Sequence, residues 1–164
     1  MAELVKTFIL DVFGNLFGVL VLSLVPIVEL RGAIPVGAAM GYEWWQVLLV
    51  SVVGNLIPVP FIVFFIRKIL NWLKKCGPFK KLAEKIEKRG TEKAASIKTG
   101  IKVGLFLFVA IPLPGTGAWT GALIASMLDM KLKDCFLPIS LGVVSAGVIM
   151  TIVSYGVKIF AGIF

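Results

Sequence analysis

The sequence predicts an all-α polytopic membrane protein, an inverted repeat of a re-entrant helical hairpin plus a transmembrane helix, with cytoplasmic amphipathic helices between the repeats. Three observations predict it. Of 164 residues, 59% are hydrophobic and the mean hydropathy is +0.99, more apolar side chain than a soluble domain of this size covers with polar surface. Four uncharged runs, 12–28, 44–66, 103–128 and 135–157, reach or exceed the lower edge of the ~20 residues that cross a ~30 Å hydrocarbon core as helix. The formal net charge of +8 is concentrated in one place, because twelve Lys/Arg and three acids (Glu84, Glu87, Glu92) stand between Arg67 and Lys102. By the positive-inside tendency that segment is cytoplasmic. The chain is thus expected to be one membrane domain: repeat one over 4–66, a basic segment over 67–102 and repeat two over 103–164.

Residues 4–28 read as a helix with Glu3, Lys6 and Asp11 at its start. The acids stand where a signal peptide carries basic residues, so no cleaved leader is expected. Gly14 and Gly18 form a small-xxx-small pair that lets helices approach closely in lipid. The stretch Pro26-Ile-Val-Glu29-Leu-Arg31-Gly-Ala-Ile-Pro35 cannot be an uninterrupted membrane helix, since each proline lacks a backbone N–H. Residues 33–42 are apolar but too short to span, and Tyr42, Glu43, Trp44 and Trp45 read as an interfacial anchor. A span follows over 46–66, bent near Asn55, Pro58 and Pro60.

The basic segment turns at Cys76-Gly-Pro78, then places Phe79, Leu82 and Ile86 at helical spacing among lysines. It reads either as amphipathic helices on anionic lipid headgroups or as a solvated helical loop. Beyond it the first pattern returns: an apolar segment, a break at Pro112-Leu-Pro114-Gly115-Thr116-Gly117, a short small-residue segment, a polar turn at 129–134 and a last span over 135–157. Ala33, Gly37 and Gly41 recur as Gly117, Gly121 and Ala125 at an offset of 84, and Pro26 as Pro112 at 86. With the basic segment inside, the two halves are inverted and both hairpin tips, broken at Pro26, Pro35, Pro112 and Pro114, lie near the midplane. Non-helical backbone at that depth is tolerated only inside protein or lining a wet cavity.

Composition removes other chemistry. There is no histidine and there are two cysteines, Cys76 and Cys135, expected on the reducing side of the membrane and unpaired. No metal-ligand spacing, cofactor motif or paired carboxylates appear, so no metal, no cofactor and no enzyme activity is expected. The charge run lacks the aromatic interleaving of a nucleic-acid surface.

Two intramembrane charges carry the functional expectation. A charge at the bilayer centre costs roughly 2.5–3.5 kcal/mol on insertion scales, so it persists there only if paired, hydrated or used. Arg31 is expected to attract an anionic headgroup and Glu29 to carry a proton. Gly115, Thr116 and Gly117 would present N–H groups at a helix start. Thr120 would add a hydroxyl one turn after Thr116, and Asn55 would line the same cavity. The competing reading puts Glu29 and Arg31 in an ordinary interfacial loop, with 32–66 as one overlong span. Thr116 and Thr120 can equally satisfy their own helix, and Asn55 can be interhelical glue.

The runs Glu29-Leu-Arg-Gly-Ala-Ile-Pro35-Val-Gly37 and Pro112-Leu-Pro-Gly-Thr-Gly-Ala-Trp-Thr-Gly-Ala-Leu-Ile-Ala125 resemble those of the small multidrug export protein family, a compact relative of the DedA/VTT membrane proteins. The resemblance implies paired re-entrant hairpins, a bacterial or archaeal inner-membrane location and, for the wider superfamily, translocation of phosphate-bearing lipids such as undecaprenyl phosphate. Where that superfamily carries arginines around the second proline, this chain has Val109 and Gly115.

The expected function is therefore a multi-pass transporter of the cytoplasmic membrane that moves a small amphipathic or phosphate-headed lipid-like substrate through a midplane site, with proton coupling. Its alternatives are a proton-coupled exporter of cationic drugs, against which Arg31 counts, and a non-transporting interaction protein working through its basic helices. Expected partners are anionic lipids at the basic segment, the substrate and a second copy in a homodimer.

Overall fold

The computed structural model describes residues 15–75, 98–113 and 115–160. All regular structure among them is helical: α1 (Leu16–Leu24), α2 (Glu29–Ala39), α3 (Trp44–Leu56), α4 (Pro58–Lys75), α5 (Lys98–Ala110), α6 (Ala118–Met127) and α7 (Leu132–Phe160). Gly14, Pro114, Cys76 and the expected surface helices of the basic segment lie outside the described residues.

Among the described residues, two stretches are long and apolar enough to cross a membrane. They are Trp44–Ile69 and Leu132–Val157, each 26 residues, with mean hydropathies of 2.4 and 2.2. At 1.5 Å per residue each covers about 39 Å, against a hydrocarbon core of about 30 Å.

The single helix expected over 4–28 is not what forms. Asn15 takes an extended conformation and its Oδ1 accepts the Gly18 N–H at 3.0 Å, an N-cap that starts α1 at Leu16. The helix ends at Leu24, one residue short of the Val25–Val28 turn that contains Pro26. Pro35, expected to break the chain, lies inside α2. Its missing N–H removes one bond, to the Arg31 carbonyl, and the turns on either side carry the helix through. The overlong span over 32–66 is also excluded, because α2 stops at Ala39 and Gly41, at φ +84°, turns the chain into α3. Glycine enters that left-handed region without a Cβ penalty.

The chain forms two compact units, one of residues 1–57 and 143–164, the other of 58–142. In the first, α1, α2 and α3 pack on one another, and glycines set the spacing. A methyl carbon added at Gly37 would lie 2.7 Å from Val47 Cγ1, and one at Gly54 would lie 2.8 Å from Ser23 Cβ and 2.9 Å from the Leu20 carbonyl. Gly147 of α7 meets Leu48 of α3 in the same way, and the Tyr155 hydroxyl donates to the Tyr42 carbonyl at 2.6 Å, fastening the turn after α2.

In the second unit α6 packs on α4 and α5. Gly121 and Gly142 bring α6 and α7 against Val109, and Gly142 also approaches the Phe106 carbonyl. Here the turn after α6 is fastened by charge. Arg67 reaches Asp129 Oδ1 at 2.7 Å and Lys102 reaches Asp134 Oδ1 at 2.7 Å.

The local geometry of one turn recurs in the other. Tyr42 N–H donates to the Gly37 carbonyl and Met130 N–H to that of Ala125; Gln46 donates to Glu43 and Asp134 to Lys131. Gly41 and Asp129 both take positive φ. These pairs are 88 residues apart, so Gly37 answers to Ala125 and not, as the sequence offset of 84 suggests, to Gly121. The slip of four residues is about one helical turn and keeps the same small-residue face.

Candidate functional site

The turn between α1 and α2 leads into the two charges singled out in the sequence, Glu29 and Arg31, which stand in the first turn of α2. Val25 N–H donates to the Leu22 carbonyl and Glu29 N–H to that of Val25, closing a short reversal whose apex, Ile27, is 95% exposed. Glu29 then enters α2 at φ +50°, a left-handed conformation that costs a non-glycine residue about 1–3 kcal/mol and that clusters at ligand clamps and active sites. Residues two apart on a regular helix do not face each other. The rotated backbone at Glu29 removes that obstacle, and Arg31 Nη1 stands 3.6 Å from Glu29 Oε2. Glu29 is only 4% exposed, and Arg31 is half-buried. Removing one member of a buried pair leaves an uncompensated charge and costs about 3–5 kcal/mol.

Asn55 is brought to the same level. Gly37 of α2 touches Val47 of α3, and these antiparallel helices are read in opposite directions from that contact. Two turns back along α2 lies Glu29; two turns on along α3 lies Asn55. Ser51, one turn before Asn55, shares its face, and Ser23 of α1 abuts Gly54. Ser23, Glu29, Ser51 and Asn55 are all buried. Asn55 Oδ1 and Ser51 Oγ have no hydrogen-bond partner among the described residues.

Ser23 and Ser51 were missed from the sequence. Ser51 carries a detectable signal, a second polar residue four before Asn55 in an otherwise apolar run. Ser23 carries none, because a serine bonded to the carbonyl one turn back, as Ser23 Oγ is to Val19 at 2.8 Å, is ordinary in an apolar helix.

A largely apolar groove of about 400 Å³ lies further along α2. It is lined by Pro35, Ala38 and Ala39 of α2 and by Met150, Val153, Ser154 and Val157 of α7. Arg31 stands one turn before Pro35, on the same side of α2.

The other break, in the second unit, has different chemistry. Gly115 takes φ +83°. The Thr116 hydroxyl lies 2.7 Å from the Ile111 carbonyl and 3.0 Å from that of Leu113, and Thr116 N–H donates to Leu113. Thr116 therefore closes its own turn. It precedes α6 and is not on one helical face with Thr120, which is half-buried on α6. Gly117 is an extended N-cap with no side-chain capping bond, so the donors this break offers are the first N–H groups of α6. Pro112 lies in the irregular stretch after Ile111. Among the described residues no group of His, Cys, Asp or Glu could hold a metal ion, and Cys135 is a buried free thiol.

A family model described as "Putative small multi-drug export protein" matches residues 29–149, from Glu29 itself to the second long helix. The chain belongs to this family. The family's name gives export across a membrane as its role, and the two long apolar helices agree with a membrane location. No curated protein and no solved structure matches the chain.

Proposed function

We propose that this small multi-drug export family member is a multi-pass transporter of the cytoplasmic membrane and not an enzyme. Its substrate is a small amphipathic or phosphate-headed, lipid-like molecule whose anionic head is drawn to Arg31 while Glu29 exchanges a proton. The buried Glu29–Arg31 pair at a helix break carries this reading. Helices of 9 and 11 residues on either side of that break cover about 14 and 17 Å, roughly half of the hydrocarbon core each, which supports a re-entrant hairpin ending near the midplane. The largely apolar groove that begins at Pro35, one turn on from Arg31, suits the tail of an amphiphile. Within the second unit, the uncapped start of α6 is a place of its own that attracts anions. Anionic headgroups are the partner we assign to the basic segment, and a homodimer the assembly.

The test is flux in proteoliposomes. Transbilayer movement of a labelled polyprenyl phosphate is expected to fall about tenfold to a hundredfold in Glu29→Gln and in Arg31→Ala, as the loss of a charged hydrogen bond worth about 1.5–3 kcal/mol implies. Unchanged flux in folded variants overturns the site. Burial of Glu29 also favours a proton-coupled cationic exporter. That reading prevails if a cationic dye, and not the lipid, follows Glu29.

A further inference from the structure

We infer that the first unit holds a site for a sodium ion, made by the side-chain oxygens of Ser23, Ser51 and Asn55 together with the Glu29 carboxylate. The four residues come from α1, α2 and α3, and the Gly37–Val47 and Gly54–Ser23 contacts set them at one level. All are buried, Asn55 to 1% and Ser51 to 0% exposure. An unsatisfied buried acceptor costs about 1–3 kcal/mol. Two stand here one turn apart, since Asn55 Oδ1 and Ser51 Oγ find no hydrogen-bond donor among the described residues. Ser23 donates its own hydroxyl proton to Val19, which leaves the lone pairs of its oxygen for a cation.

The donor set is oxygen throughout, as hard cations require. Backbone adds to it. Pro58 has no N–H to offer the Gly54 carbonyl, and α1 ends its dipole at the same turn, the arrangement by which interrupted membrane helices coordinate Na⁺. Because Arg31 already balances the one carboxylate, the site has no net negative charge to offset a second positive charge, which disfavours a divalent ion more strongly than a monovalent one. Packing does not demand these residues. The second unit repeats the glycine contacts with Val109 where the first has Ser23, and it has Gly117 and Ile139 where the first has Glu29 and Ser51.

The inference rests on Glu29 as the acid of the transport site, and Na⁺ competes there with the proton. Arg31 on α2 is the charged neighbour. Helices α1 and α3 carry no ionisable side chain, and the stretch of α7 against α3 carries Tyr155, bonded to Tyr42 at the far end of α2.

Binding is read at equilibrium, on purified full-length protein, by thermal unfolding in NaCl against choline chloride of equal ionic strength and by binding of radioactive sodium. The melting temperature is expected to rise about 3–6 °C per tenfold increase in Na⁺ above half-saturation, less at lower pH. Asn55→Leu, Ser51→Ala and Glu29→Gln are each expected to lose the rise, while Thr151→Val, which removes a buried hydroxyl bonded to Gly147, keeps it. An equal rise with choline or K⁺, or its persistence in Ser51→Ala and Asn55→Leu, overturns the site. So does absence of sodium binding to the wild type, in which case the cluster holds water. Loss of Na⁺ binding with Glu29-dependent flux intact refutes this inference alone; loss of flux dependence refutes the transport reading alone.

Discussion

Gly37 shows how much rests on one absent methyl group. Its added carbon would come within 2.7 Å of Val47 Cγ1 and 2.8 Å of Cγ2, closer than packed carbons tolerate, and the level of Glu29 against Asn55 depends on that contact. Gly37→Ala is expected to cost about 1–3 kcal/mol through overpacking, read as a lower melting temperature. Val47→Ala in the same chain should recover most of the loss, and a double-mutant cycle measures the coupling. An additive cycle would show that α2 and α3 do not meet there. Glu29 and Arg31 were legible in the sequence because charge in an apolar run stands out. Their pairing was legible only as a condition, since it depends on the φ of Glu29, which no residue pattern encodes. Thr116 misled for a related reason: hydroxyls look alike in sequence whether they face a cavity or close their own turn.

At the scale of elements, the composition announced helices and hid their ends. The long runs over 44–66 and 135–157 are helical as their apolar continuity implies. The first run is where the sequence reading failed, because a capped start at Asn15 and a stop at Leu24 depend on backbone hydrogen bonds, while hydropathy stays high through both. Replacing Asn15 tests the cap: Asn15→Ala is expected to lower stability by about 1 kcal/mol and Asn15→Asp to retain it, measured by thermal unfolding in detergent. No difference between them would mean that α1 is held by packing alone. Pro35 erred in the opposite direction, for one lost bond did not end a helix whose Ala33, Gly37 and Ala38 are buried. Small residues alone suggested an offset of 84, whereas the turn hydrogen bonds match at 88, because a glycine stripe looks the same after a shift of one turn.

For the whole molecule, sidedness is the quantity that follows from charge. Tyr42 precedes the first long helix and the basic segment follows it. In a background without Cys76 and Cys135, Gly90→Cys is expected to react with impermeant maleimide from the cytoplasmic face and Tyr42→Cys from the opposite one. Met130→Cys should behave like Gly90→Cys, since Asp129 is tied to Arg67. Labelling of Tyr42→Cys and Gly90→Cys from one side would mean that 44–69 does not cross. The asymmetry between the units also belongs at this scale. Both units use close glycine contacts, but buried side-chain oxygens stand among them in the first and Val109 and Ile139 in the second, so glycine packing by itself does not require those oxygens.

The two exposed ion pairs have a practical corollary. Arg67 and Lys102 are both clasped to the same short turn, through Asp129 and Asp134, so α4 and α5 are held there whatever length of chain joins them. Lengthening a connection between fixed ends is cheap, about 0.6 kcal/mol per doubling. A fluorescent protein spliced between Gly90 and Thr91 should therefore ride on the folded transporter without disturbing flux or melting, a ready-made place to hang a reporter.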